Sequence, residues 1–296
     1  MSKTDFYISH SIFTSPGIFF YLFYELPENI PDLCTVIQNL FLHMADEALF
    51  NYKIPLMRFS EMDTRYANRW LRRLSEDGAK PLSVYRDIPH RMIGICRDIA
   101  LLVCSVLRQR HIPARLRVGF ADYFTPGIYL DGIWLEYWNE NQKRWYVVDT
   151  RTTLLHIEKY RLQLDFDRYD IPPGKVLPAE LAWKLCRENR INTRYIGARD
   201  IRGLWYVRNR LIQALAFLNK YEILTWDVWG LMRSGTEIPA EQYPLLDDLS
   251  VFLLKNSTSP QELIHFYEAN PLFQVQKSVL VCNPAYSTPR LDPLFF

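Results

Sequence analysis

Between Pro31 and Phe50 the apolar residues Leu33, Val36, Ile37, Leu40, Phe41, Met44 and Leu49 keep mostly to three- and four-residue spacing. That is the period of a helix burying one face. A second helix is expected over about 61–74, ending before Asp77-Gly78. A third starts near Gly94 and carries Ile99, Leu102, Val103, Val106 and Leu107 on one side until His111-Ile112-Pro113 stops it. After Pro113 the period changes to two. Residues 114–123 (ARLRVGFADY) alternate, residues 133–138 (IWLEYW) form a short aromatic run, and residues 144–149 (RWYVVD) follow across the polar turn 139–143. These are strands of an antiparallel meander. Helices return at about 179–188, 204–221 and 260–268, and the tail after Pro284 is expected to be extended.

Helices first and a meander next is the α+β signature, not that of alternating βαβ units. Residues 1–170 are expected to form a core with N-terminal helices. Residues 171–296 are expected to form a C-terminal helical extension packed on it, with 257–260 as the loosest joint.

Composition excludes several function classes. A chain of 296 residues with 49% hydrophobic and 23% charged positions can bury a sizeable core, so disorder is not its theme. Lys plus Arg number 35 against 33 Asp plus Glu, and the net charge of +2 gives no basic stripe for nucleic acid. The apolar run 17–24 falls far short of the roughly 20 residues of a membrane span. It also lacks the flanks and cleavage site of a secretory signal, so a cytoplasmic protein is expected and the Asn256-Ser257-Thr258 sequon has no meaning there. No Gly-rich phosphate loop, HExxH, EF-hand or cysteine pair is present, so neither cofactor nor metal is expected.

Five widely spaced cysteines, Cys34, Cys96, Cys104, Cys186 and Cys282, fit no disulfide framework. Cys96 stands at the start of the third helix, where unpaired backbone N–H groups and the positive dipole end favour thiolate, and Arg97 adds a cation. It is either core filler or a nucleophile. A cysteine nucleophile works with an imidazole and an orienting carboxylate. Asp149, closing the run Trp145–Val148, is the candidate carboxylate, or else a turn residue.

The blocks GICRDIALLVCSVLRQRHIPARLRVGF, DGIWLEYW and RWYVVD, within 94–149, resemble the core of the transglutaminase-like superfamily of papain-like cysteine enzymes. In that family a Cys opens a helix, a His begins the next strand in a pattern like H-x-W-x-E, and an Asp closes the following strand in W-x-x-V-D. The resemblance implies a papain/transglutaminase-like core, a helix bundle packed on an antiparallel sheet, with Cys96 as nucleophile and Asp149 as third member. Trp134 and Glu136 match the strand motif and, with Arg97 and Asp131, are assigned to the substrate cleft. Residues 63–66, 200–205 and 219–230 are similar to a bacterial subgroup of transglutaminase-like proteins.

The family's histidine position is Gly132 here. Glycine relays no proton, and losing one triad member costs orders of magnitude in rate because the members act as a unit. Three readings follow. A thiol acyl-transferase or amide hydrolase could use a substitute base, with His90, His111 and Asp131 as candidates. His111 lies roughly 22 Å from Cys96 along a continuous helix, which excludes direct contact. In the second reading the fold is a binding module, a pseudoenzyme with a cleft widened at Gly132. In the third a ligand or partner supplies the base. The expected partner is a protein, peptide or acyl-amide substrate, with no nucleic acid and no membrane; oligomeric state is not legible.

Overall fold

The structure is a computed structural model and describes residues 3–76, 80–235, 237–255 and 259–294. The expected helix end at Asp77-Gly78, the sequon 256–258 and the joint residues Ser257 and Thr258 lie outside these residues. Helices and mainly antiparallel strands occur in largely separate stretches, so the fold is α+β as expected. Among the described residues no helix is long and apolar enough to cross a membrane. The chain forms two compact units, one of residues 7–116 and 134–171, the other of 1–6, 117–133 and 172–296.

The first unit holds Cys96 and is built on the helix Cys96–Gln109, in which every residue from Arg97 to Arg108 is buried. Leu101, Leu102, Val103, Val106 and Leu107 have no exposed surface, and each such side chain is worth about 1.5–3 kcal/mol of burial. The helix starts where it does because Ile95 is extended (φ −128°, ψ 175°) and Asp98 Oδ2 accepts the Ile95 N–H at 2.9 Å. It ends at Arg110, followed by His111 at φ +56° and Pro113. Helices Ile30–Gln38 and Ala67–Glu76 pack on it.

The single helix expected over 31–50 is instead the helix Ile30–Gln38, the strand Phe41–His43 and one turn, Glu47–Phe50. The physical reason is burial on both sides. Leu40, Phe41 and Leu42 are consecutive and each at most 3% exposed, which a strand covered on two faces requires and a one-faced helix does not. That strand runs parallel to Met92–Gly94, with His43 opposite Gly94. Met92 N–H donates to Leu40 O at 2.9 Å and Met44 N–H to Gly94 O at 3.0 Å. Gly94 is obligatory for a close approach: a Cβ there would stand 2.8 Å from the Phe41 ring and 3.0 Å from Asp98 Oδ2.

The expected meander forms as Ala114–Ala121, Tyr129–Asn139 and Arg144–Val148. In the first unit Leu135–Asn139 pairs antiparallel with Arg144–Val148, Leu135 opposite Val148. The turn is closed by Gln142 N–H on Asn139 Oδ1 at 3.0 Å and by Lys143 at φ +51°.

The second unit centres on the helix Leu204–Leu218, buried from Tyr206 onward and flanked by Ala179–Arg187, Tyr243–Leu253 and Pro260–Ala269. Within it Tyr129–Leu130 pairs parallel with Ile196–Gly197, and Gly119–Phe120 antiparallel with Leu177–Pro178. The tail is extended, Arg290–Pro293 pairing with Ser278–Val281.

Two glycines of this unit make a matched test. Gly230 (φ +53°) would place a Cβ 2.0 Å from Leu272 O, whereas Gly127 (φ +80°) has open space around it. Gly127→Ala should cost about 1 kcal/mol, the left-handed penalty alone, while Gly230→Ala should cost at least about 3 kcal/mol because the backbone must also move. Urea unfolding of the two variants checks this; equal losses would refute the close-approach argument.

Candidate functional site

Cys96 is the first residue of its helix and is half-buried, the placement that lets a thiol meet both solvent and the helix N-terminus. Cys34, Cys104 and Cys186 are buried. Burial pushes the Cys34 thiol up to about 12, helped by the Asp149 charge and opposed by Arg168, and burial pushes Cys186 up to about 11. Those two thiols stay protonated. Cys282 is half-buried, and burial raises it too, against a hydrogen bond with Ser234.

The neighbours expected to serve Cys96 are placed otherwise. Arg97 has no exposed side-chain surface: its guanidinium donates to Asp98 Oδ1 at 3.1 Å and Arg65 O at 2.6 Å and lies 5.5 Å from the Trp70 ring centre. Its charge is consumed inside the core and lines no open cleft. Burial raises Asp98 to about 6 against the opposing pull of Arg97 and the Ile95 N–H. Trp134 is 2% exposed, a core side chain. Glu136 is bound by Arg115 Nε at 2.6 Å, and that guanidinium lies 4.2 Å from the Trp145 ring centre.

His90, the surrogate candidate, is a surface residue. Its ring is 65% exposed and faces Asp87 at 3.3 Å, and no hydrogen bond joins it to Cys96. Asp149 is 4% exposed and closes a turn. Its Oδ1 accepts the N–H groups of Arg151 and Thr152, both at 2.9 Å, and its Oδ2 accepts the Thr152 hydroxyl at 2.6 Å. Gly132 and Asp131 belong to the other unit, where Asp131 Oδ2 accepts the Tyr206 hydroxyl at 2.7 Å and pairs with Arg210.

Sequence reasoning missed a second cluster of the Cys96-bearing unit, around His43, Asp46, Arg151 and His156. His156 is 4% exposed, its Nε2 lies 3.1 Å from Asp46 Oδ2, and Thr153 N–H donates to its Nδ1 at 3.1 Å. Nδ1 is therefore the acceptor and Nε2 the donor, so both ring nitrogens are spent. His43 Nδ1 likewise accepts the Ala45 N–H at 3.1 Å, which puts its proton on Nε2. The His156 ring therefore has no lone pair left to take a proton. The only advance signal was Thr153 three residues before His156, a helix-capping spacing that carries no chemistry by itself. Among the described residues no group of three or more His, Cys, Asp or Glu could hold a metal.

Residues 56–150, which include Cys96, Gly132 and Asp149, match the model of the transglutaminase-like superfamily. A solved structure of a candidate cysteine protease from Cytophaga hutchinsonii is similar at 13% identity and a TM-score of 0.29, covering 58% of this chain. The match takes in 44% of that protein, less than half its length. No curated protein matches.

The Asp46 cluster makes a prediction about acid stability. Burial alone would raise Asp46, but the His156 hydrogen bond and the charge of Arg151 lead the effects that outweigh it and hold the carboxyl at about 2. The folded-state value lies below the unfolded one of about 3.9, so the contribution is present above that value and lost as pH falls through 2. Its size is on the order of 2 kcal/mol. Asp46→Asn should be less stable than the native chain at pH 6 by that amount, and the gap should close between pH 4 and 2. Urea midpoints against pH measure it; a gap that stays constant across that range would contradict the assignment.

Proposed function

We propose that this is a transglutaminase-like binding module, a pseudoenzyme that keeps the family's thiol and carboxylate positions without their acyl-transfer chemistry. One observation carries the reading: the matched segment has Gly132 where the family pattern has its imidazole. The placement of the other groups supports it. His90 is solvent-facing, both ring nitrogens of His156 are spent on Thr153 and Asp46, and the Asp149 carboxylate braces the turn to Thr152. In the family pattern the imidazole takes the thiol proton and the Asp orients the ring, and a glycine does neither.

A second reading is favoured by one feature, the half-buried position of Cys96 at the helix start. In it the Cys96 thiolate attacks an amide or thioester carbonyl, the amine or thiol leaves, and water or an amine releases the acyl group from the acyl-enzyme. The substrate would be a protein, a peptide or an acyl-amide.

The pH dependence of alkylation by iodoacetamide separates the two, with Cys96→Ala as the blank that removes any contribution from Cys282. The binding module predicts a Cys96 rate still rising above about pH 8, as for an ordinary thiol, with a plateau below neutral pH appearing only in Gly132→His. A plateau below neutral pH in the native sequence would overturn the pseudoenzyme reading in favour of the enzyme.

A further inference from the structure

A cavity of about 320 Å³ opens within the Cys96-bearing unit, at the small end of the range of ligand pockets, about 300–1,000 Å³. Its charged lining is Arg91, Arg151, Arg168 and Asp46, beside His43, His156 and the neutral polar side chains of Thr35, Gln38, Asn39 and Thr153. Three guanidiniums thus line it with one carboxylate, and that carboxylate is already engaged by Arg151 at 2.7 Å and His156 at 3.1 Å. The imbalance is positive. Arg91 is 5% exposed and fixed by Nε on Arg86 O at 2.9 Å and Nη2 on Asn39 Oδ1 at 3.1 Å, so it is preorganised and does not swing into solvent.

Two donors of these arginines are also unspent: Arg151 Nε and Arg168 Nη1 are buried and find no acceptor among the described residues. A buried donor without an acceptor costs about 1–3 kcal/mol, and two of them on the wall of one positive cavity call for an acceptor that the chain does not itself supply. His43 also lines the cavity. Opposite these groups the wall is apolar, with Phe41, Phe50 and Ile99, and Leu154 and Leu155 are exposed at 73% and 41%.

The geometry points to this cavity as a binding site for a small oxyanion, a carboxylate or a phosphate ester, carried on an apolar body. The oxygens would take the spare N–H groups of Arg151 and Arg168, and the body would lie on the aromatic wall. A cation is excluded by the charge, and a neutral apolar molecule would leave both donors without acceptors. The inference goes beyond the reading of Cys96 and holds whether that thiol is inert or reactive.

Calorimetric titration of the full chain with hexanoate and, separately, with phenyl phosphate tests it. One-to-one binding with Kd on the order of 1 mM or tighter is expected for at least one probe. Hexanoate alone would assign a carboxylate, phenyl phosphate alone a phosphate ester, and both the shared oxyanion chemistry. Arg168→Gln removes a donor and Leu154→Glu sets a negative charge on an exposed position of the lining; each should weaken binding roughly tenfold. Leu154 is exposed, so its variant keeps the test valid if the arginine variant fails to fold. Cys96→Ala is expected to bind as the native chain does, so this site stands or falls apart from the thiol. No binding by either probe, or binding unchanged in both folded variants, would overturn the proposal.

Discussion

The start of the Cys96–Gln109 helix depends on one buried carboxylate. Asp98 Oδ2 takes the Ile95 N–H while Oδ1 takes Arg97, and the backbone of Gly94 passes close enough to the Phe41 ring and that carboxylate that no side chain fits. The capping bond stops the strand Met92–Gly94 and begins the helix one residue later, which makes Cys96 its first residue. The parallel partner strand is fixed by the same pinch, since Phe41 supplies the ring and His43 lies opposite Gly94. Thiol position, helix burial and the placing of His43 therefore follow from a single local arrangement. The price is a carboxyl pushed up to about 6 by burial, so its ionisation opposes the fold as pH rises from about 4 to 6.

Much of this was legible in the chain because it rests on local signals. The run from Ile99 to Leu107, the stop at Pro113 and the alternation after it fixed the helix and the hairpin, and the Cys and Asp positions followed from order and spacing. What failed was the stretch after Gln38. Leu40, Phe41 and Met44 satisfy a helical period by residue type, and nothing local reveals that Leu42, on the face between them, is buried as well. Only the partner strand at 92–94, some fifty residues later, settles the question. The helix Tyr243–Leu253 escaped notice because it buries only Leu246, Leu249 and Ser250 and is entered through a single 3-10 turn, Ala240–Gln242.

The cationic cavity was illegible for the same reason. Arg91, Arg151 and Arg168 are separated by 60 and 17 positions, and none sits in a basic run. A net charge of +2 offers no sign of a phosphate-tracking stripe, and it says nothing about where buried charges gather. Several arginines of this chain, Arg65, Arg86, Arg97, Arg108, Arg208 and Arg210 among them, are buried, so sequence-level charge is a poor map of surface charge here. Arg97 illustrates the error. Adjacency to Cys96 suggested a cation for the thiolate, but successive residues of a helix point about 100° apart, and the guanidinium turns into the core toward Asp98, Arg65 and Trp70.

The retained Asp has a structural account of its own, because buried charges persist only when their lone pairs are occupied. Asp149 meets that condition by bonding to the backbone of Arg151 and Thr152 and to the Thr152 hydroxyl. A turn that ties the hairpin strand to the next helix thus gives the carboxylate a structural role independent of catalysis. Keeping Asp149 is therefore no argument for activity, whereas the exposed edge of Cys96, which the core does not need, is the feature that makes thiol reactivity the decisive observable.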